Sequence, residues 1–280
     1  MDVSSLQHRL TDAERLEFDR NGFLIVENAI PDELIARLIP VADRADAQYR
    51  SERGLSPHER INFLDFVGED ELFLELLDWP TTFPKVWGLL GWNIQLYHSH
   101  MPVSPPLPPD ERPAKIELKL HQDSDRLNKE LETDPQPRIS LKVAYFLTDT
   151  RELGRANLYL APGSHVRSRS AVSGMDESEA TAVQVDTGTA VLFDRRIWHS
   201  ASPNVSDVSR KVLFYGYSYR WLRPRDDMTA ANRFMDRCDP IRRQLLGASS
   251  GGLGYTSPSD EDVPLREWIR EHAGEEAVAP

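Results

Sequence analysis

The chain holds one cysteine, Cys238, so no internal disulfide can form, and a reducing cytoplasm is the expected setting. Basic residues are outnumbered, 33 Lys and Arg against 45 Asp and Glu, for a net charge of −12. No basic stripe offsets that acidity, which excludes a nucleic-acid partner. No apolar run approaches the roughly 18 residues that cross a bilayer, so no membrane partner is expected. The opening MDVSSLQHRL lacks the apolar centre of a signal peptide. What is present is ordinary: 280 residues, 40% hydrophobic and 28% charged, enough for a substantial core in a soluble globular protein. Monomer and homodimer are equally compatible with this composition.

The pattern reads as a single domain over 1–280 with three parts. A helical part spans 11–90. Thr11-Asp12-Ala13-Glu14 is a capping box, Asn21-Gly22 ends the helix it opens, and Phe23–Val26 reads as a buried strand. Pro31 opens a helix to about Tyr49, and two more are expected over Glu69–Trp79 and Thr82–Leu90. An extended part spans 92–221. Trp92–Met101 alternates so that Trp92, Ile94, Leu96, His98 and His100 share a face. Six prolines within 102–113 make a loop. Strand composition then recurs at 115–121, 139–147, 158–161, 183–185, 190–193 and 211–221. A helical part follows over 226–272. Short strands after helices predict a mainly β sandwich or barrel with flanking helices.

Chemistry concentrates around His121-Gln122-Asp123. In extended backbone, residues i and i+2 point to one side, so an imidazole and a carboxylate converge. A second imidazole from Trp198-His199-Ser200 would complete a 2-His-1-carboxylate face, which holds a divalent metal and leaves positions open. Arg210 is expected on the strand beside His199 through a hairpin, on a face shared with Val212, Phe214 and Gly216. A buried guanidinium needs an anion. An internal carboxylate or a dicarboxylate cosubstrate would serve. Lys142 either lines the barrel or snorkels outward, and His165 reads as a turn element.

The order of these motifs resembles the phytanoyl-CoA dioxygenase family of iron(II)/2-oxoglutarate oxygenases. The matching pieces are Leu10-Thr11-Asp12 through Asn21-Gly22-Phe23, His121-Gln122-Asp123, Ala161-Pro162-Gly163-Ser164-His165, and Phe193-Asp194 through Trp198-His199-Ser200 to Arg210. Together they cover roughly 10–221. The resemblance implies a double-stranded β-helix (jelly-roll, cupin-like) core. It makes His121, Asp123 and His199 the iron ligands and Arg210 the partner of the far carboxylate of 2-oxoglutarate. It further suggests His98 and a hydroxyl of Ser200 or Ser202 for the cosubstrate, and His100 for substrate.

The implied reaction uses Fe(II), 2-oxoglutarate and O2, releases succinate and CO2, and hydroxylates or otherwise oxidises a C–H bond. Asp123 favours that outcome, because related halogenases carry a small residue there. The substrate pocket is expected to involve Gln122, Arg126 and the rest of 122–137, with His100, Tyr145, Trp198, Arg220 and Trp221. The polar loop points to a small polar or anionic metabolite or natural-product intermediate. Two other readings stay open: a non-catalytic cupin-like binding protein, and a metal enzyme that does not use 2-oxoglutarate.

Overall fold

The computed structural model describes residues 1–168 and 175–278. The first α-helix is set by its ends. Thr11 Oγ1 accepts from the Glu14 amide, and the Glu14 carboxylate accepts from the Thr11 amide. Helix α1 then runs Asp12–Asn21 and stops at Gly22, whose φ of 86° is cheap only for glycine. Helix α2, Asp32–Arg53, is a turn longer than expected and buries Leu34, Ile35, Leu38, Val41 and Ala42 despite Pro40. Helix α3, Phe83–Leu90, carries Pro84 in its first turn, where no intrahelical donor is lost. The helix expected over Glu69–Trp79 is instead two 3-10 turns, Phe66–Glu69 and Glu71–Leu76. Between them the Asp70 carboxylate accepts from the Leu72 amide and starts the second turn afresh.

Among the described residues, nine strands form two sheets. They are β1 (Phe23–Val26), β2 (Ile61–Leu64), β3 (Ile94–Ser104), β4 (Ser140–Phe146), β5 (Leu158–Leu160), β6 (Thr181–Ala182), β7 (Ala190–Asp194), β8 (His199–Ala201) and β9 (Arg210–Tyr219). The large sheet is antiparallel in the order β1-β7-β4-β9-β3-β2, and the small one reads β6-β5-β8. A compact apolar cluster including Phe146, Leu158, Leu160, Val191 and Phe214 fills the space between them. Helices cover the other face of the large sheet over a much larger cluster. This is the double-stranded β-helix architecture.

Four local expectations fail, each for a physical reason. Strand β2 falls inside 11–90, the part read as helical, as an edge strand paired with β3. Residues 183–185 lie outside the strands, the pairing there being limited to Thr181–Ala182. The segment 115–121 is extended but unpaired except at one bridge, His121 to His199. Finally, β3 does not present one continuous face. Its register with β9 slips between Leu96, opposite Tyr217, and His98, opposite Gly216. That bulge adds one residue and reverses the pleat. Ile94 and Leu96 therefore face the helices, as do Met101 and Val103 beyond the bulge, while His98 and His100 turn in between the sheets.

Candidate metal centre

The bridge between His121 and His199 is the anchor of the site. The His121 amide donates to His199 O at 3.0 Å and the His199 amide returns the bond to His121 O at 2.9 Å. Two residues on, the Asp123 amide donates to Arg195 O at 3.3 Å. Backbone alternation then aims His121 and Asp123 at the same point, as the sequence spacing implied. Ser124 follows at φ 61°, a left-handed turn that swings the chain into the short helix α4, Asp125–Glu130.

Each imidazole is held by its Nδ1. His121 Nδ1 lies 3.1 Å from Lys119 O and His199 Nδ1 lies 2.9 Å from Ile197 O. A carbonyl can only accept, so Nδ1 donates; that bond fixes each ring's orientation and leaves the Nε2 lone pair available to a metal. One ligand atom each from His121, Asp123 and His199 lies within 4.8 Å of the others. That spacing groups the three as candidate ligands of one divalent ion. Burial, only partly offset by the Asp123 carboxylate, lowers His199 to about 4, so its ring is neutral at pH 7. For Asp123, burial pushes upward but Lys142 and His199 outweigh it, holding the carboxyl well below the usual range. Lys142 Nζ sits 2.6 Å from Asp123 Oδ2.

Beside this triad is a cavity of about 290 Å³ whose lining includes His100, Asn62, Ser200, Phe214, Arg60 and Arg210. Arg210 is 2% exposed and, among the described residues, has no hydrogen bond or ion pair; its Nε is buried without a partner. Its neighbours are the Phe146 ring, 5.5 Å away, and a second cation, Arg60. Burial first, then Arg60, lowers it to about 9. An isolated buried guanidinium costs several kcal/mol. The anion expected from sequence is therefore not supplied by the chain itself. His199 and Arg210 lie in different sheets rather than in one hairpin, because Asn204 ties the turn elsewhere, donating to Ser104 O and Val208 O at 2.7 and 2.8 Å. Both still line the one cavity.

A second cavity, about 370 Å³, lies on the other side of Asp123 and Lys142. It is bordered by His98, Arg126, Arg195, Arg223 and Arg225. The two strand histidines are thus exchanged relative to the sequence reading: His100 lines the Arg210 cavity, stacked on Phe214 at 4.4 Å, and His98 lines the second one. Room for the His98 ring exists only because position 216 is glycine, since a Cβ there would stand 2.6 Å from it.

Other expected residues fall elsewhere. Tyr145 is on the helix side of β4, three residues from Lys142 and so on the opposite face, with its hydroxyl against Thr82 and Leu76 O. Gln122, between two inward residues, points away and donates to Arg196 O. Ser202 donates to Pro203 O, and Trp198 and Ser202 line neither cavity, whereas Ser200 lines the first. Arg220 is spent on Asp262 O and Ala248 O, and Trp221 is 47% exposed. Arg126 borders the second cavity and pairs with Glu130 at 2.6 Å. Sequence reasoning missed Arg60, Asn62, Arg195, Arg223 and Arg225, which sit in loops or at an edge and carry no periodic signal.

With this geometry in hand, the comparisons with known proteins are decisive at the family level. The profile described as Phytanoyl-CoA dioxygenase (PhyH) matches residues 18–212, spanning the triad and Arg210. The chain belongs to this family. PhyH proteins use Fe(II), 2-oxoglutarate and O2, and the donor set here fits that group. Among curated relatives, Dioxygenase af480 of Aspergillus fumigatus is 25% identical over 155 residues, 53% of this chain and 48% of that one. The chain thus spans about half the length of that relative.

Among solved structures, HygX from Streptomyces hygroscopicus with nickel and 2-oxoglutarate bound has a TM-score of 0.60 at 14% identity, over 77% of this chain and 90% of that one. The non-heme alpha ketoglutarate dependent carbocyclase SnoK from nogalamycin biosynthesis scores 0.59 at 18% identity, over 82% and 92%. The epimerase SnoN from the same biosynthesis scores 0.55 at 16%, over 72% and 78%. These identities carry the fold alone. Among the described residues, no helix is long and apolar enough to cross a membrane.

Proposed function

We propose that this PhyH protein is an Fe(II)/2-oxoglutarate-dependent dioxygenase that hydroxylates, or desaturates or cyclises through the same C–H oxidation, a small polar metabolite or natural-product intermediate. The observation that carries the reading is Arg210, a buried cation with no anion among the described residues, lining one cavity with the triad.

His121 and His199 would hold the metal through Nε2 and Asp123 through its carboxylate. When bound, iron couples O2 and the decarboxylation of 2-oxoglutarate to succinate and CO2 with insertion of oxygen into a substrate C–H bond. The protein's contribution is placement. The Arg210 fork suits the far carboxylate of the cosubstrate, with Arg60 adding positive charge at the same end. Phe193 and Phe214 keep the near end dry, and Lys142 keeps Asp123 ionised. A cytoplasmic setting, where Fe(II) and the free Cys238 stay reduced, completes the proposal.

The test is an anaerobic titration with Fe(II) and 2-oxoglutarate, followed by oxygen and a succinate assay. A visible metal-to-cosubstrate charge-transfer band with slow uncoupled succinate formation is expected. Neither appearing would favour a non-catalytic cupin-like binding protein. Oxygen uptake without the band would favour a metal enzyme independent of 2-oxoglutarate.

A further inference from the structure

We infer that the second cavity is an anion site and that the substrate carries a carboxylate, phosphate or sulfate group held by Arg223 and Arg225. The inference rests on the reading of the first cavity as the cosubstrate chamber.

The charge distribution is the first argument. Acids outnumber bases over the chain, 45 to 33, yet this cavity is lined by Arg126, Lys142, Arg195, Arg223 and Arg225 with Asp123 as the one carboxylate. Pairing does not remove the excess. Asp123 answers Lys142, Glu130 answers Arg126 at 2.6 Å, and Asp226 answers Arg225 at 3.2 Å. Five cations less three carboxylates leaves two positive charges. One is Arg223, which has no partner among the described residues. The other is Arg195, 2% exposed, whose contacts are the neutral Asn128 Oδ1 and Pro137 O and whose Nε is buried without a partner. Burial lowers Arg195 to about 10. Unanswered guanidinium groups in a concave site are complementary to an oxyanion.

The second argument is that the arginine loop is fixed at the cavity. The Arg225 amide donates to Tyr97 O at 2.9 Å, and Asp226 accepts from the Ser99 amide at 2.5 Å. Both bonds grip the β3 bulge, the same irregularity that turns His98 inward. Arg225 and Asp123 border both cavities, so an anionic group held at Arg225 lies beside the triad. A volume of about 370 Å³ is that of a small-molecule site.

The experiment loads the protein with Ni(II) and saturating 2-oxoglutarate, then titrates in sodium sulfate or sodium acetate by calorimetry at constant ionic strength. Sulfate reports a tetrahedral group and acetate a planar one. One saturable site for at least one of them is expected, weakened at least tenfold in Arg223→Gln/Arg225→Gln and in Arg223→Glu. The latter change is at an exposed side chain without a partner, so folding is not at stake. The loss of anion affinity should exceed any loss of 2-oxoglutarate affinity by tenfold. No saturable site, or equal binding by wild type and variants, overturns the inference. Failure of 2-oxoglutarate to bind wild type sinks the cosubstrate reading instead, and Arg210→Met in the same titration shows whether the anion had merely occupied the vacant first cavity.

Discussion

The two faces of the large sheet are built from the same strands and treat buried polar groups in opposite ways. On the helix side, Tyr145, Tyr215 and Tyr217 are at most 1% exposed, and all three hydroxyls donate to carbonyls of one stretch, Leu76, Phe73 and Leu77, at 3.2, 2.7 and 2.7 Å. On the inner side, Nδ1 of His98, Nδ1 of His100 and Nε of Arg210 are buried with no partner. Native interiors rarely leave such groups unanswered. The outer set is therefore architecture, complete within the chain. The inner set is complete only with something else in place.

Breaking the inner face should cost function far more than stability. Asp123→Gly removes the carboxylate of the triad. Losing an outer-shell partner costs a metal site about 10–100-fold, so losing a ligand should lower succinate formation by more than about 100-fold. Iron affinity, read by the anaerobic titration, should fall with it. Undiminished turnover would end the assignment. Next in size is Arg210→Met. A buried charge pair lost on one side costs about 3 kcal/mol, roughly 100-fold in apparent 2-oxoglutarate affinity. Because Arg210 has no partner among the described residues, the same change should leave thermal stability unchanged or raised. A fall of several degrees would show instead that Arg210 holds the fold.

The inner histidines give a pH signature that the tyrosine face lacks. Burial first, then the charge of Lys142, keeps His98 and His100 well below the ordinary imidazole value. The unfolded chain takes up protons at these positions below about pH 6.5, whereas the folded chain resists doing so. Stability from this source is thus full above that pH and lost as pH falls toward the depressed folded values. The slope is up to about 1.4 kcal/mol per pH unit for each ring. Urea midpoints between pH 5 and 7 should fall more steeply for wild type than for His98→Asn/His100→Asn. Parallel slopes would mean the rings are already charged in the fold.

The contrast between faces also explains how much could be read in advance. The triad was legible because two of its members sit two apart in extended chain, and Arg210 because an Arg among Val212 and Phe214 has no solvent to reach. The jelly roll was legible from short strands and the order of motifs. The exchange of His98 and His100 was not, because one bulge at Leu96–His98 reverses a pleat and leaves no mark in composition. Arg223 and Arg225 were invisible for a different reason. They lie in a loop whose place is set by two hydrogen bonds to that same bulge.

Tyr145 is the residue on which the comparison can be sharpened most finely, since alternation along β4 decides its side and nothing else in the sequence does. Lys142, Ala144 and Phe146 face inward, so Tyr145 must face the helices. Its hydroxyl contacts Thr82 Oγ1 at 2.6 Å and Leu76 O at 3.2 Å, and burial pushes its pKa well above the ordinary phenol value. Tyr145→Phe keeps the ring and its edge-on contact with Tyr215 at 5.6 Å, and it deletes only the hydroxyl. Thr82 retains Trp79 O as an acceptor, while Leu76 O loses its tyrosine donor. The expected loss is about 1 kcal/mol, a drop of about 2–4 °C in Tm. The 2-oxoglutarate KM should not move. A shifted KM with an unshifted Tm would put Tyr145 back on the inner face, and the division between a face that is satisfied and a face that waits would fail with it.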